Sequence, residues 1–288
     1  MDRNKNILEK EFKCLDYGFV RLVDYMGDDA AIVQAARTSY GQGTKSTSED
    51  RALIRYLMRQ KHTSPFEMVE FKFHIKLPIF VARQWIRHRT ANVNEYSGRY
   101  SEMRDEFYVP QVNVVREQSE DNKQGRADEL LSSEFANEII QSIVASQTES
   151  YAEYKNYITQ GIAREIARIN LPLSIYTEWY WKIDLHNLFH FLKLRLDRHA
   201  QYEIRVYADV LAEIVKECVP LAYEAFEDYL LNAVQFSASE QKALAKIIKQ
   251  FDLDKLFSDE ELEGFGLGRR ETTEFREKLK LIISQAAV

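Results

Sequence analysis

Val69-Glu-Phe-Lys-Phe-His-Ile-Lys-Leu77 alternates apolar and polar residues without a break, and Pro78-Ile-Phe-Val-Ala-Arg-Gln-Trp-Ile-Arg-His-Arg89 follows directly. The period of two predicts a strand over 67–77, with Val69, Phe71, Phe73, Ile75 and Leu77 on one face. The second stretch passes from apolar residues straight into Arg87-His88-Arg89, so a basic cluster sits where an ordered element ends. Binding residues concentrate on loops held by a rigid scaffold. After a gap of seven residues comes Ser97-Gly98-Arg99, and residues 83–104 hold five arginines: Arg83, Arg87, Arg89, Arg99 and Arg104. The chain as a whole is acidic, with 45 Asp and Glu against 39 Lys and Arg and a net charge of −6. A local basic concentration on such a chain points to a small anion rather than a broad nucleic-acid surface. Arginine suits phosphate because its planar guanidinium donates paired hydrogen bonds and keeps its charge. Gly98 lets backbone approach a phosphate closely, and Ser97 adds a hydroxyl. The competing reading is a solvated patch, with these arginines covering Trp85, Tyr96 and Tyr100 or pairing with Glu95, Glu102 and Asp105.

Around this centre, residues 12–25 read as a strand, and 28–37 and 49–60 as helices, the latter opening on a Ser-Glu-Asp cap. Residues 111–130 are polar and read as a surface insertion. A long helix is expected over 134–160, ending at Gly161, and a shorter one leads to Pro172. Residues 173–183, rich in aromatic and β-branched side chains, favour a strand. Helices follow at 184–196, 200–217 and 221–233. Segregated elements of this kind predict an α+β domain in which a mixed sheet packs with long helices. Only 10 Gly and 5 Pro among 288 residues favour long helices over a loop-rich all-β design. The character changes near residue 237: Ser237 opens a helix, 252–263 is acidic, 264–268 is glycine-rich and 270–285 reads as a charged amphipathic helix. The division expected is a domain over 1–235 and a helical extension over 236–288.

No apolar run is long enough to span a membrane. The polar N-terminus lacks the apolar core of a signal peptide. Cys14 and Cys218 lie far apart without a partner motif, which argues against a disulfide scaffold and fits a reducing cytoplasm.

Several blocks together resemble the flavin-dependent thymidylate synthases. They are His62-Thr-Ser-Pro-Phe-Glu67, Pro78 to Arg89, Asn94-Glu-Tyr-Ser-Gly-Arg-Tyr100, Arg164-Glu-Ile-Ala-Arg-Ile-Asn-Leu-Pro-Leu173 and Leu194-Arg-Leu-Asp-Arg-His-Ala-Gln-Tyr-Glu203. The similarity runs through about residues 12–230 in order, and spaced blocks of this kind are more specific than a single short motif. The resemblance implies that dUMP is methylated to dTMP without a cysteine nucleophile. FAD is the implied cofactor, 5,10-methylenetetrahydrofolate the one-carbon donor and NADPH the reductant. A homotetramer with shared active sites, no nucleic-acid partner and no membrane partner complete the expectation.

By the same resemblance Arg195 is the catalytic residue, stabilising negative charge on the uracil ring as C5 becomes nucleophilic. Gln84, Arg87, Glu95, Tyr96, Ser97, Gly98, Arg99, Arg168 and Arg195 are the implied dUMP-binding residues. Ser64, Arg87, His88, Arg89, Glu95, Asp184, His186 and His190 are the implied FAD-binding residues, with His62 beside the flavin and folate pocket. Other readings stand beside these. Arg195 could form a surface pair with Asp197 or Asp209. Ser97 with His88 imitates a hydrolase pair but lacks a third orienting group. His186 and His190, four apart on a helix, could ligate a metal, yet His-Asn-Leu-Phe-His lacks the glutamate of a zinc-protease motif; no metal is expected. His74 and His199 have no assignment. The rival class is a non-catalytic nucleotide- or RNA-binding protein, which the acidic net charge disfavours.

Overall fold

The computed structural model describes residues 6–38, 47–120 and 125–285. The chain forms two compact units, 1–231 and 232–288. The first opens with β1 (Glu11–Cys14), β2 (Gly18–Met26), α1 (Asp29–Thr38) and α2 (Thr47–Arg59). It continues through β3 (Glu70–Pro78), α3 (Ile79–Trp85), β4 (Asn92–Glu95), α4 (Ser133–Thr159) and α5 (Arg164–Ala167). It closes with β5 (Tyr176–Asp184), α6 (Leu185–Arg195), α7 (Tyr202–Cys218), α8 (Pro220–Phe226) and a wide helical turn over Glu227–Leu231.

The strands lie in the order β1-β2-β3-β5-β4. Their pairings are all antiparallel, so the α+β class holds while the mixed strand directions expected do not. The strand expected over 12–25 is two strands. Leu15 takes a left-handed backbone (φ 57°), and Cys14 pairs with Gly18 across a three-residue reversal. Distant residues secure that turn: the Asp16 carboxylate accepts from the Val109 N–H at 2.9 Å and from the Tyr176 hydroxyl. Gly18 is required sterically, because a Cβ there would lie 2.0 Å from the Tyr207 hydroxyl. That hydroxyl donates to the Lys76 carbonyl of β3 at 2.9 Å.

The alternation in β3 buries Val20 and Leu22 of β2, Phe71, Phe73, Ile75 and Leu77 of β3, and Trp179, Trp181 and Ile183 of β5 in one core with α3, α6, α7 and α8. Trp85, at the end of α3, fills its centre, with ring centroids 4.5 Å from Phe191 and 5.1 Å from Trp181. Losing such a ring costs about 3–5 kcal/mol. This packing fixes where α3 stops, and hence where Arg87-His88-Arg89 emerges. A second, smaller core of Met103, Phe107, Tyr154, Ala167 and Ile175 lies beneath the segment after β4.

Several boundaries differ from expectation, β3 among them, which starts at Glu70 rather than 67 because Phe66–Met68 form a tight helical turn. β5 starts at Tyr176 rather than 173, because the Ile175 N–H closes a turn onto the Pro172 carbonyl. The helix expected over 221–233 changes to the wide turn at Glu227 and ends at Leu231. α2 starts at Thr47, ahead of the predicted Ser-Glu-Asp cap.

The second unit contains α9 (Ala238–Ile248), α10 (Leu253–Leu256), α11 (Asp259–Gly264) and α12 (Arg269–Gln285). Ser237 and Glu240 form a reciprocal cap on α9, and Ser258 and Glu261 do the same on α11. Phe257 packs its ring 6.2 Å from Phe275 and 6.5 Å from Phe265.

Candidate active site

Trp85 at the end of α3 packs on Phe191 of α6, and His88, just past α3, meets Arg195 at the end of α6. The Arg195 Nε–H donates to His88 Nε2 at 3.1 Å. His88 packs edge-on against Phe191 (4.9 Å between centroids) and beside His190 (5.8 Å). Burial, the Arg195 charge and the neighbouring His190 together push the His88 imidazole down to about 4. It is therefore a neutral acceptor at neutral pH. Arg195, half-buried, is pushed below its ordinary value by desolvation, and among the described residues no carboxylate reaches it at ion-pair distance. The alternative pair with Asp197 is not formed, because that carboxylate takes His199 at 2.9 Å.

A second group forms where β4 ends. Glu95 is held by the hydroxyl of the buried Thr177 at 2.8 Å, and the Tyr96 N–H continues the ladder onto the Glu178 carbonyl at 2.8 Å. The chain then turns tightly: Tyr100 and Ser101 both donate to the Ser97 carbonyl, each at 3.1 Å. Gly98 is buried in that turn against Arg168, whose side-chain carbon and nitrogen would lie 3.2 Å from any Cβ added there. Arg99 pairs with Glu165 at 3.2 Å. Ser97, Gly98 and Arg99 thus lie in one turn with Arg168 and Glu165 against it. No hydrogen bond or ion pair among the described residues joins this group to His88 and Arg195.

The remaining predicted residues are distributed over the first unit. Arg87 and Arg89 are exposed, and among the described residues neither meets a carboxylate at ion-pair distance. Gln84, on α3, buries its Oε1 without a hydrogen-bond partner. Unneutralised guanidinium groups and an orphaned buried acceptor fit a bound nucleotide or dinucleotide with polar edges. Asp184 caps α6, accepting from the Asn187 backbone N–H at 2.9 Å and from its side chain at 2.7 Å. His186 is the second residue of that helix, and His190 lies beside His88. Ser64 and His62 are exposed in the loop between α2 and β3. Among the described residues no cluster of three or more His, Cys, Asp or Glu is arranged to hold a metal. Both cysteines are buried, each thiol pushed up to about 12, chiefly by desolvation. Neither is available as a thiolate.

Sequence reasoning missed Thr177 and Glu165, which orient Glu95 and Arg99. Glu165 carried a signal, lying within the same Arg164–Leu173 block as Arg168. Thr177 carried only its place in a strand. His74, unassigned from sequence, lies between Arg21 (2.6 Å) and Glu178 (3.1 Å), and Glu178 also takes Arg104 at 2.8 Å.

The chain is similar to known proteins in sequence and in fold. The profile of the family described as thymidylate synthase complementing protein matches residues 21–221. A flavin-dependent thymidylate synthase of Treponema denticola is 58% identical over 273 residues, covering 95% of this chain and 98% of that protein. One from Wolbachia pipientis is 60% identical, covering 84% of this chain and 85% of the relative. The crystal structure of a UMP/dUMP methylase, PolB from Streptomyces cacaoi, bound with 5-Br dUMP superposes with a TM-score of 0.70 at 33% identity, over 76% of this chain and 99% of that one. Fold and site together therefore define an enzyme of the methyltransferase class. The chain belongs to the flavin-dependent thymidylate synthase family.

Proposed function

We propose that the protein converts dUMP to dTMP by reductive methylation, with FAD as cofactor, 5,10-methylenetetrahydrofolate as one-carbon donor and NADPH as reductant. The observation that carries this reading is Arg195: a half-buried guanidinium fixed through its Nε by neutral His88, with no carboxylate at ion-pair distance among the described residues. Such a group stabilises negative charge spreading onto a uracil ring as C5 becomes nucleophilic, and does so best where water is excluded. Ser97, Gly98 and Arg99 bind the dUMP phosphate, while Gln84, Arg87, Glu95, Tyr96 and Arg168 complete its pocket. Arg87, His88 and Arg89, with Ser64, Glu95, Asp184, His186 and His190, hold the flavin, and His62 borders the flavin and folate. When bound, the reduced flavin would supply the hydride that takes the transferred carbon to a methyl group, while Arg195 rather than a cysteine adduct would polarise the uracil ring.

The working form is a homotetramer whose sites are shared between copies, located in the cytoplasm. Supporting assembly, apolar side chains stand in water on the unit that carries the site, among them Phe135 (52% exposed), Ile169 (70%) and Leu173 (62%). No described helix is long and apolar enough to cross a membrane. Residues 1–235 constitute the catalytic domain and 236–288 an extension without catalytic duty. The deciding experiment is tritium release from [5-³H]dUMP by the yellow, purified protein, with and without methylenetetrahydrofolate and NADPH. Release and dTMP formation that require both support the reading; a flavin-loaded protein that forms no dTMP overturns it.

A further inference from the structure

A cavity of about 740 Å³ lies between the segment after residue 113 and the turn that joins α6 to α7. Arg116 and Arg126 line one side, and Arg198, His199 and Arg205 the other. None of them belongs to the nucleotide site described above.

The walls are fixed by bonds that use little of this charge. The Arg116 guanidinium donates to the backbone carbonyls of Asp128 (2.7 Å) and Ala127 (3.3 Å), clamping the returning strand of the segment. The Arg205 guanidinium donates to the Arg198 carbonyl at 2.8 Å, holding the turn. Beneath them Glu203, fully buried, accepts from Arg126, from the Tyr108 hydroxyl at 3.0 Å and from Gln201 at 2.9 Å. Carbonyl bonds orient a guanidinium without neutralising it. Of the carboxylates nearby, Glu203 is matched by Arg126 and Asp197 by His199. Asp128 also lines the cavity. Among the described residues Arg116, Arg198 and Arg205 reach no carboxylate at ion-pair distance; Asp197 and Asp209 act on Arg198 and Arg205 only at longer range, and of the carboxylates Asp128 alone lines the space beside these three positive charges.

We propose that this cavity is a second anion-binding site, for a small molecule carrying several phosphate or carboxylate charges. The guanidinium groups set the sign and favour paired hydrogen bonds to planar or tetrahedral oxyanions. The volume, within the range of small-molecule sites, exceeds what a single phosphate fills. A diphosphate ester and a chain of glutamates share the required chemistry. Arg198 lies three residues past Arg195, in the turn after α6, so an anion held here sits on the segment that carries the proposed catalytic arginine.

The test is calorimetric titration of the flavin-loaded protein with inorganic pyrophosphate and, separately, with triglutamate. Arg198 is exposed and reaches no carboxylate, so Arg198→Ala and Arg198→Glu should fold normally. Arg205→Gln probes the opposite wall. At least one probe should bind; Arg198→Ala and Arg205→Gln should each weaken it about tenfold, and Arg198→Glu should abolish it. Arg99→Ala should leave it within twofold. The probe that binds identifies the ester or the glutamate chain as the source. Binding of neither probe, or affinity unchanged by both Arg198 substitutions, overturns the proposal. The assignment does not depend on dUMP methylation: tritium release measured on the same preparations fails or succeeds separately from probe binding.

Discussion

Arg195 and His88, 107 residues apart in the chain, meet in one hydrogen bond of 3.1 Å from the arginine Nε–H to the imidazole Nε2. The bond exists only while His88 is neutral. Protonation would remove the acceptor and set two positive charges against each other.

Acid should therefore expose His88. Its folded value of about 4 lies below the ordinary 6.5, so between these limits the unfolded chain binds more protons than the folded one. The contribution is present above pH 6.5 and is lost as pH falls through this window. His88→Gln, which keeps an acceptor but does not titrate, should lose less stability than wild type between pH 7 and pH 5 in denaturant melts. Equal losses would show that His88 is not held neutral.

Arg99 and Arg195 should separate binding from chemistry. A charged bond to phosphate is present in ground and transition states alike, so Arg99→Ala should chiefly raise the KM for dUMP. Arg195→Ala should lower the rate at saturating dUMP by about 10²–10³, the usual cost of losing one such donor. Single-turnover kinetics with pre-reduced flavin distinguish these outcomes. An Arg195→Ala protein with an intact saturated rate would be defective in binding alone.

The cysteines should be dispensable for turnover. Cys14→Ala with Cys218→Ala should keep most activity while losing about 1 kcal/mol of stability per buried sulfur removed. A folded, flavin-loaded double variant without turnover would reinstate a thiol mechanism.

Gly98 offers a steric test of the phosphate turn. A Cβ there would come within 2.8 Å of the Met103 sulfur and 3.2 Å of Arg168. Gly98→Ala should displace Arg168 and weaken dUMP binding about tenfold with little change in flavin content, read by titration and by absorbance.

A chain ended after Gln235 should fold and bind flavin. Both hydrophobic clusters of the first unit are built from residues up to Leu231. Insolubility, or loss of flavin from the shortened protein, would make residues 236–288 part of the catalytic fold.

What the sequence disclosed follows the range of the forces involved. The alternation from Val69 to Leu77 and the helix over 133–159 are local patterns and could be read directly. β4 could not: its four residues, all exposed, carry no apolar period, and only pairing with β5 makes them a strand. The break at Leu15 was hidden because it depends on Asp16 reaching Val109 and Tyr176. Similarity of motif grouped Ser97, Arg99 and Arg168, and in the fold Gly98 lies against Arg168 while Arg99 pairs with Glu165 in the same block. The bond between Arg195 and His88 depends on how α3 and α6 pack around Trp85 and Phe191, which no local spacing encodes.

β4 also governs where this chain can change length. Asn92 faces Lys182 and Glu95 faces Trp179 in a ladder between the arginine-rich loop and the Ser97 turn. One residue inserted among these four would turn each later side chain to the opposite face, carrying Glu95 and the turn out of alignment with His88 and Arg195. An insertion between Asp105 and Glu106 would spare that ladder but pull Glu106 from Lys76, its partner at 2.7 Å. Deletions or duplications within Asn92–Glu95 should be purged.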